Sequence, residues 1–369
     1  MKFIISKSQL LDLIGNLQNV VAQKATIPIL SNILIEAAND ELVLTATDLT
    51  VGMRCYAEAK ILEEGATTLP AKRFFQLIRE LPDVNVEVKT GKDEITHISA
   101  GASRFKLHGM ERSTFPALPD MGGAKRVSLP QKTLRELLYR TSFAASREEN
   151  RYVLTGVLCR LSGGTLTFVG TDGKRLAKID HPAGLDPSYQ GSFVLPLKAV
   201  EEVARVADEK EEEGTITLLE DKVGFEVAHA TLVTKLLAGD YPDVEQVIPS
   251  KSTFKVSLHR EELISLLRQV VLFTSELNHS ARFTFTEGEL TLTANNAEVG
   301  EGRVSMPVNY TGERFEIAFN PTYFLDILKR SRDETVELAL TDAYNPGVIT
   351  DSASGLFVLM PMRLTEAAL

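Results

Sequence analysis

The chain repeats itself. Residues 31–48 read SNILIEAANDELVLTATD, residues 155–172 read TGVLCRLSGGTLTFVGTD, and residues 280–296 read SARFTFTEGELTLTANN. The leucines that anchor these segments, Leu42, Leu166 and Leu290, stand 124 residues apart, as do the closing Asp48, Asp172 and Asn296. A period this long is no solenoid unit; it marks whole domains in tandem. Three copies account for all 369 residues, so any fold must work three times over. The breaks fall near 122–126, after Gly122-Gly123, and near 250–253, giving expected domains of 1–124, 125–252 and 253–369.

Each copy shows the same local pattern. A short apolar strand opens it: Phe3 to Ser6, Val127 to Leu129, Val256 to Leu258. A helical period follows. Leu42, Leu44 and Ala46 alternate with Val43, Thr45 and Thr47, the two-residue period of a strand. Ala38-Asn39-Asp40, Ser162-Gly163-Gly164 and Glu287-Gly288 carry the residues of hairpin turns. Six helices are expected, over 7–24, 72–82, 131–142, 197–207, 260–270 and 321–332. The fold class is therefore α+β, three similar domains of antiparallel sheet with two helices each.

The chain carries a formal charge of −10, which argues against nucleic acid if the charge is evenly spread. It is not: in four of the six expected helices Lys and Arg outnumber Asp and Glu. On the helix over 131–142, Lys132, Arg135 and Arg140 fall opposite Leu134, Leu137, Leu138 and Thr141. A single charged helix face is ordinarily a solvated one. A basic set inside an acidic chain asks for a polyanion. With no Trp, a dedicated single-strand binder that stacks bases is disfavoured.

Other chemistry finds little footing. The six histidines lack metal spacing, and no nucleophile elbow or Walker loop occurs. Thr171-Asp172-Gly173-Lys174-Arg175 lacks the glycines of a phosphate loop, and Asp48 and Asp172 suit turns better than acid–base work. Two cysteines make no disulfide framework. With no long apolar run and no signal-peptide pattern at the N-terminus, a cytoplasmic protein without membrane, metal or cofactor is expected.

Five segments resemble the bacterial sliding clamps, the β subunits of DNA polymerase III: Lys24 to Leu30, Thr171 to Leu176, Tyr241-Pro242-Asp243, Asn320 to Tyr323 and Val358 to Leu364. The resemblance runs the length of the chain. It implies a head-to-tail homodimer, six domains in a ring with twelve helices around double-stranded DNA. It implies no catalysis and no sequence readout, but a tether for the polymerase III catalytic subunit, the clamp-loader complex and other proteins carrying clamp-binding motifs. The alternative is a scaffold that binds the same peptides without encircling DNA.

The resemblance also assigns residues. DNA-facing positions are Lys24, Arg73, Lys132, Arg135, Arg147, Arg151, Tyr152 and Lys198. A partner-peptide groove falls on Leu154, Thr171, Gly173, Lys174, Arg175, Leu176, Pro242, Val247, Asn320 and Tyr323, then Val358, Leu359, Met360, Pro361, Met362 and Arg363. Methionine suits a groove that accepts several sequences. Arg104, Phe105 and Leu107 of one chain are expected to meet Leu272, Phe273, Glu298 and Glu301 of the other. Lys174, Gln246 and Asn278 depart from the family's common residues, and Thr365–Leu369 extends past its usual end.

Overall fold

A computed structural model describes residues 1–22, 26–119, 121–122, 125–184, 190–208, 212–275 and 279–363. Lys24, Asn278 and the stretch from Leu364 onward lie outside the described residues. Six α-helices occur among them: α1 (Lys7–Leu17), α2 (Ala71–Glu80), α3 (Gln131–Ser142), α4 (Leu197–Val206), α5 (Arg260–Val270) and α6 (Pro321–Leu328). Every paired strand is antiparallel, as the α+β reading requires.

The repeat is visible in the register. Leu42 faces Ala37, Leu166 faces Leu161 and Leu290 faces Phe285 across their hairpins, and all six are buried. The hairpin turns have the backbone their residues predict. Asn39 and Asp40 sit at φ 50° and 60°, Gly163 and Gly164 at 57° and 78°, the left-handed values a two-residue turn needs. The closing acids are turn residues too. Asp48 Oδ1 accepts from the N–H groups of Thr50 and Val51 (2.9 and 2.7 Å), Asp172 Oδ1 from Lys174 and Arg175 (2.8 and 3.0 Å), and Asn296 Oδ1 from Glu298 (2.9 Å).

Helix ends follow from local chemistry. Ser6 caps α1 by accepting from Gln9 N–H. Asn320 caps α6, with Pro321 at its first position, so the Asn-Pro pair is a helix start. α1 stops at Leu17, short of the expected 24. Val20 and Val21 are buried from a turn, both donating to the Leu17 carbonyl (3.0 and 3.2 Å). Asn16, Asn19 and two β-branched valines propagate a helix poorly. α6 likewise ends at Leu328 instead of 332.

Two compact units make up the chain, one of residues 1–135 with 198–236, the other of 136–197 with 237–369. Neither is one copy of the repeat, because sheets run from copy to copy. In the first unit, strand Val51–Glu58 pairs with Ala230–Lys235 inside an eight-stranded sheet. In the second, Arg175–Pro182 pairs with Gly355–Leu359 inside another. A five-stranded sheet in the first unit ends on strand Ser103–His108, and a four-stranded sheet in the second ends on Gly300–Pro307.

Candidate functional site

The expected groove residues gather in the second unit, at the strand pair that joins its two copies. The register sets Leu176 opposite Val358 and Arg175 opposite Leu359. Leu176 and Val358 belong to a buried cluster with Leu158, Val169, Val194 and Val244, against which Tyr241 packs. Tyr241 donates its hydroxyl to the Val169 carbonyl (3.3 Å), and burial pushes its pKa upward. Above this floor, Val247 and Met360 stand exposed, at 47% and 41%. Leu154, Pro361 and Met362 are half-buried; Pro242, Lys174 and Arg363 are exposed.

The segment from 171 to 175 is held by its own side chains. Thr171 Oγ1 donates to the Arg175 carbonyl (2.6 Å) and accepts from Gly173 N–H (3.1 Å). Gly173 has φ +82°, a conformation that favours glycine. Arg175 is then locked on all sides. It donates to Asp326 Oδ2 (2.6 Å), to the Phe143 carbonyl (2.9 Å) and to Asp172 Oδ2 (3.2 Å). Its guanidinium also lies 4.5 Å from the Tyr323 ring centroid. A guanidinium so engaged orients its neighbours and offers little to a ligand, so Arg175 is a positioning residue. Asp326 and Phe143 belong to this network and were absent from the expected set; Asp326 lies 124 residues after Glu202, which also pairs with an arginine, Arg205.

The last strand does not trail off. Met360 N–H donates to the Lys174 carbonyl (2.9 Å) and Met362 N–H to the Ala318 carbonyl (2.7 Å). Two backbone bonds thus hold Met360 and Met362 beside Lys174 and Ala318.

The expected DNA-facing residues divide between the two units. Arg73 and Lys132 are exposed, with no ion pair among the described residues. Tyr152 is 57% exposed, Arg147 is exposed and Arg135 half-buried. Lys198 is engaged: its Nζ donates to Asp48 Oδ2 (2.6 Å) and to the Val20 carbonyl (3.3 Å). Arg151 donates to the Asp172 carbonyl (2.7 Å), which places it beside the groove. Arg140, expected on the basic face of its helix, is corrected: it is 2% exposed. Its guanidinium donates to the carbonyls of Arg330 (3.0 Å) and Ala353 (2.9 Å) and pairs with Asp351. It faces away from its own sheet, as the period says, but the next copy covers it.

At the expected seam, Leu272 is 70% and Phe105 41% exposed. Leu107 shares the Phe105 face of the edge strand. Phe273 lies against Gly302, and Glu298 and Glu301 are exposed close by in sequence. Arg104 folds back onto the carbonyls of Gly101 and Ser103 (2.5 and 2.8 Å).

Among the described residues, no group of His, Cys, Asp and Glu is arranged to hold a metal ion. Burial pushes both Cys55 and Cys159 up to about 12, so neither thiol is a ready nucleophile.

Comparison with known proteins gives one answer throughout. Residues 1–119, 128–243 and 245–363 match models of the N-terminal, central and C-terminal domains of the DNA polymerase III beta subunit. The beta sliding clamp of Chlamydia muridarum is 57% identical over 366 residues, covering 99% of this chain and all of that one. That of Vibrio cholerae is 32% identical over 99% of this chain and all of the relative. The crystal structure of a Pseudomonas aeruginosa sliding clamp bound to griselimycin superposes with a TM-score of 0.93 at 32% identity, covering 99% of this chain and all of that one. A Bacillus subtilis clamp gives 0.93 at 26%, with the same coverage.

Proposed function

The chain belongs to the DNA polymerase III beta subunit family, and we propose that two copies close a ring around duplex DNA and tether the replicative polymerase to it. The protein is a sliding clamp, a processivity factor that catalyses nothing. A tethered polymerase that lets go is recaptured at high local concentration, so the gain needs no tight grip on DNA. No helix among the described residues is long and apolar enough to cross a membrane; its place is with the DNA in the cytoplasm.

One observation carries the closure. Successive copies join by strand pairing, Val51–Glu58 with Ala230–Lys235 and Arg175–Pro182 with Gly355–Leu359. The corresponding strand of the third copy is Gly300–Pro307, and that of the first copy is Ser103–His108. Each is the last strand of its sheet, with a free edge. An exposed edge is a template for another chain. The third junction is therefore made between two molecules, with Phe105, Leu107, Leu272 and Phe273 as its apolar centre and Arg104, Glu298 and Glu301 as its rim. Three junctions per half close six copies into a ring.

Within that ring, Arg73, Lys132, Arg135, Arg147, Arg151, Tyr152 and Lys198 serve the DNA through phosphates, which carry no sequence information. The groove built on Leu176, Val247, Val358, Met360 and Met362 takes the clamp-binding motifs of the polymerase, the clamp loader and other partners. Retention on DNA tests the reading. Protein loaded on a nicked circle should survive a high-salt wash and leave promptly once the circle is cut, since ionic contacts alone weaken steeply with salt. Retention that ignores linearisation would contradict encirclement.

A further inference from the structure

Just past the end of α6, in the second unit, one arginine lacks what its neighbours have. Arg140 holds Asp351, Arg175 holds Asp326, and Arg332 holds Glu136 (2.9 Å). Arg330 is half-buried and has no ion pair among the described residues. It is nonetheless fixed. Its N–H donates to the Ile327 carbonyl (2.9 Å), and its carbonyl accepts from Arg140 Nε (3.0 Å). Its guanidinium carbon lies 4.8 Å from the Tyr139 ring centroid and 5.1 Å from that of Phe143. Phe143 lies in turn 5.3 Å from the Arg175 guanidinium. Rings packed against a guanidinium hold its plane in one orientation. The Nε of Arg330 is buried with no acceptor. A partly buried cation without a counter-ion carries a desolvation cost that an anion would offset.

We propose that Arg330 receives a phosphate of the duplex backbone, a contact that rests on the DNA-encircling reading above. Tyr139 indicates which surface this is. By helical period it shares a face of α3 with Lys132 and Arg135, both expected to face DNA. It is 48% exposed, and its hydroxyl makes no hydrogen bond among the described residues, so it offers the phosphate a second donor. A guanidinium already held in place loses little side-chain freedom on meeting its ligand. None of the expected DNA-facing residues lies in the third copy, and Arg330 gives that copy a contact of its own. The contact carries charge and no base information.

Fluorescence anisotropy of a labelled linear duplex with the full-length protein, repeated over a salt series, tests this. Arg330→Gln should weaken binding several-fold at low salt and lower the slope of log affinity against log salt by about one. Arg330→Lys keeps the charge and should keep the slope. Tyr139→Ala should weaken binding with little change in slope, and this exposed substitution decides the matter if Arg330→Gln fails to fold. An affinity and slope equal to the parent's in Arg330→Gln, or an unchanged affinity in Tyr139→Ala, would overturn the contact and leave the ring reading standing. A loss of duplex affinity confined to the parent when inorganic phosphate replaces chloride at matched ionic strength would mark a site for the free anion and overturn it too. A parent that does not bind the duplex at all would remove the reading beneath it.

Discussion

The two junctions inside the chain share a backbone plan and differ in what their side chains do. At the first, Val51 and Gly52 face the second copy's last strand; at the second, Arg175 and Leu176 hold those places. The small Gly52 is covered by Leu118, whereas Leu176 packs with Val244. Leu49, at φ +73°, stands where Gly173 stands. Asn16 stands where Arg140 is buried. Strand pairing and alternation conserve the architecture through duplication, because they depend only on backbone bonds and a two-residue period. Side chains at the joint are under no such constraint, so one junction carries a pinned arginine and a methionine-lined edge while the other carries Leu118 over Gly52 and the Lys198–Asp48 ion pair.

Breaking that contrast should have its largest effect at position 140. Arg140→Ala leaves the Asp351 carboxylate, 0% exposed, without its cation, and should cost about 3–5 kcal/mol. Asn16→Ala at the matching position loses a hydrogen bond and should cost about 1 kcal/mol or less. Urea denaturation of the two variants measures both. A similar loss in each would erase the distinction between the junctions.

Next comes the groove. Met362→Ala should weaken binding of a clamp-binding peptide by about 1 kcal/mol or more if the side chain is a hot spot, and leave assembly unchanged. Fluorescence anisotropy with a labelled peptide reads the first, and sedimentation the second. An affinity equal to that of the parent would move the groove elsewhere.

The smallest effect concerns the paired turns. Gly173→Ala places a side chain at φ +82° and should destabilise by about 1 kcal/mol. Leu49→Gly should act in the opposite direction, by up to about 1 kcal/mol, since a leucine at φ +73° is strained. Thermal melts of the two variants should therefore shift in opposite directions.

Much of this was legible in the residues. The copies come from the 124-residue repeat, the hairpins and six helices from short-range periodicity, and the turns at Asn39-Asp40 and Gly163-Gly164 from residue type. What pattern could not show is contact between copies. Arg140 lies on the polar side of its helix and is buried by residues about 190 and 210 positions away. Arg175 finds Asp326 151 positions away. The groove residues were assigned through resemblance; alternation marks Leu176 and Val358 as inward-facing but says nothing of the exposed Val247 or Met360.

The third junction repeats a pairing seen twice within the chain, at a place where a second molecule must supply the partner strand. Sedimentation equilibrium at low micromolar concentration weighs it directly. The parent should sediment at twice the chain mass of 40.6 kDa, and the Leu272→Ala, Phe273→Ala double variant at a single chain mass while remaining folded. A parent of 40.6 kDa, or a double variant that keeps the doubled mass, would contradict a ring closed at this seam.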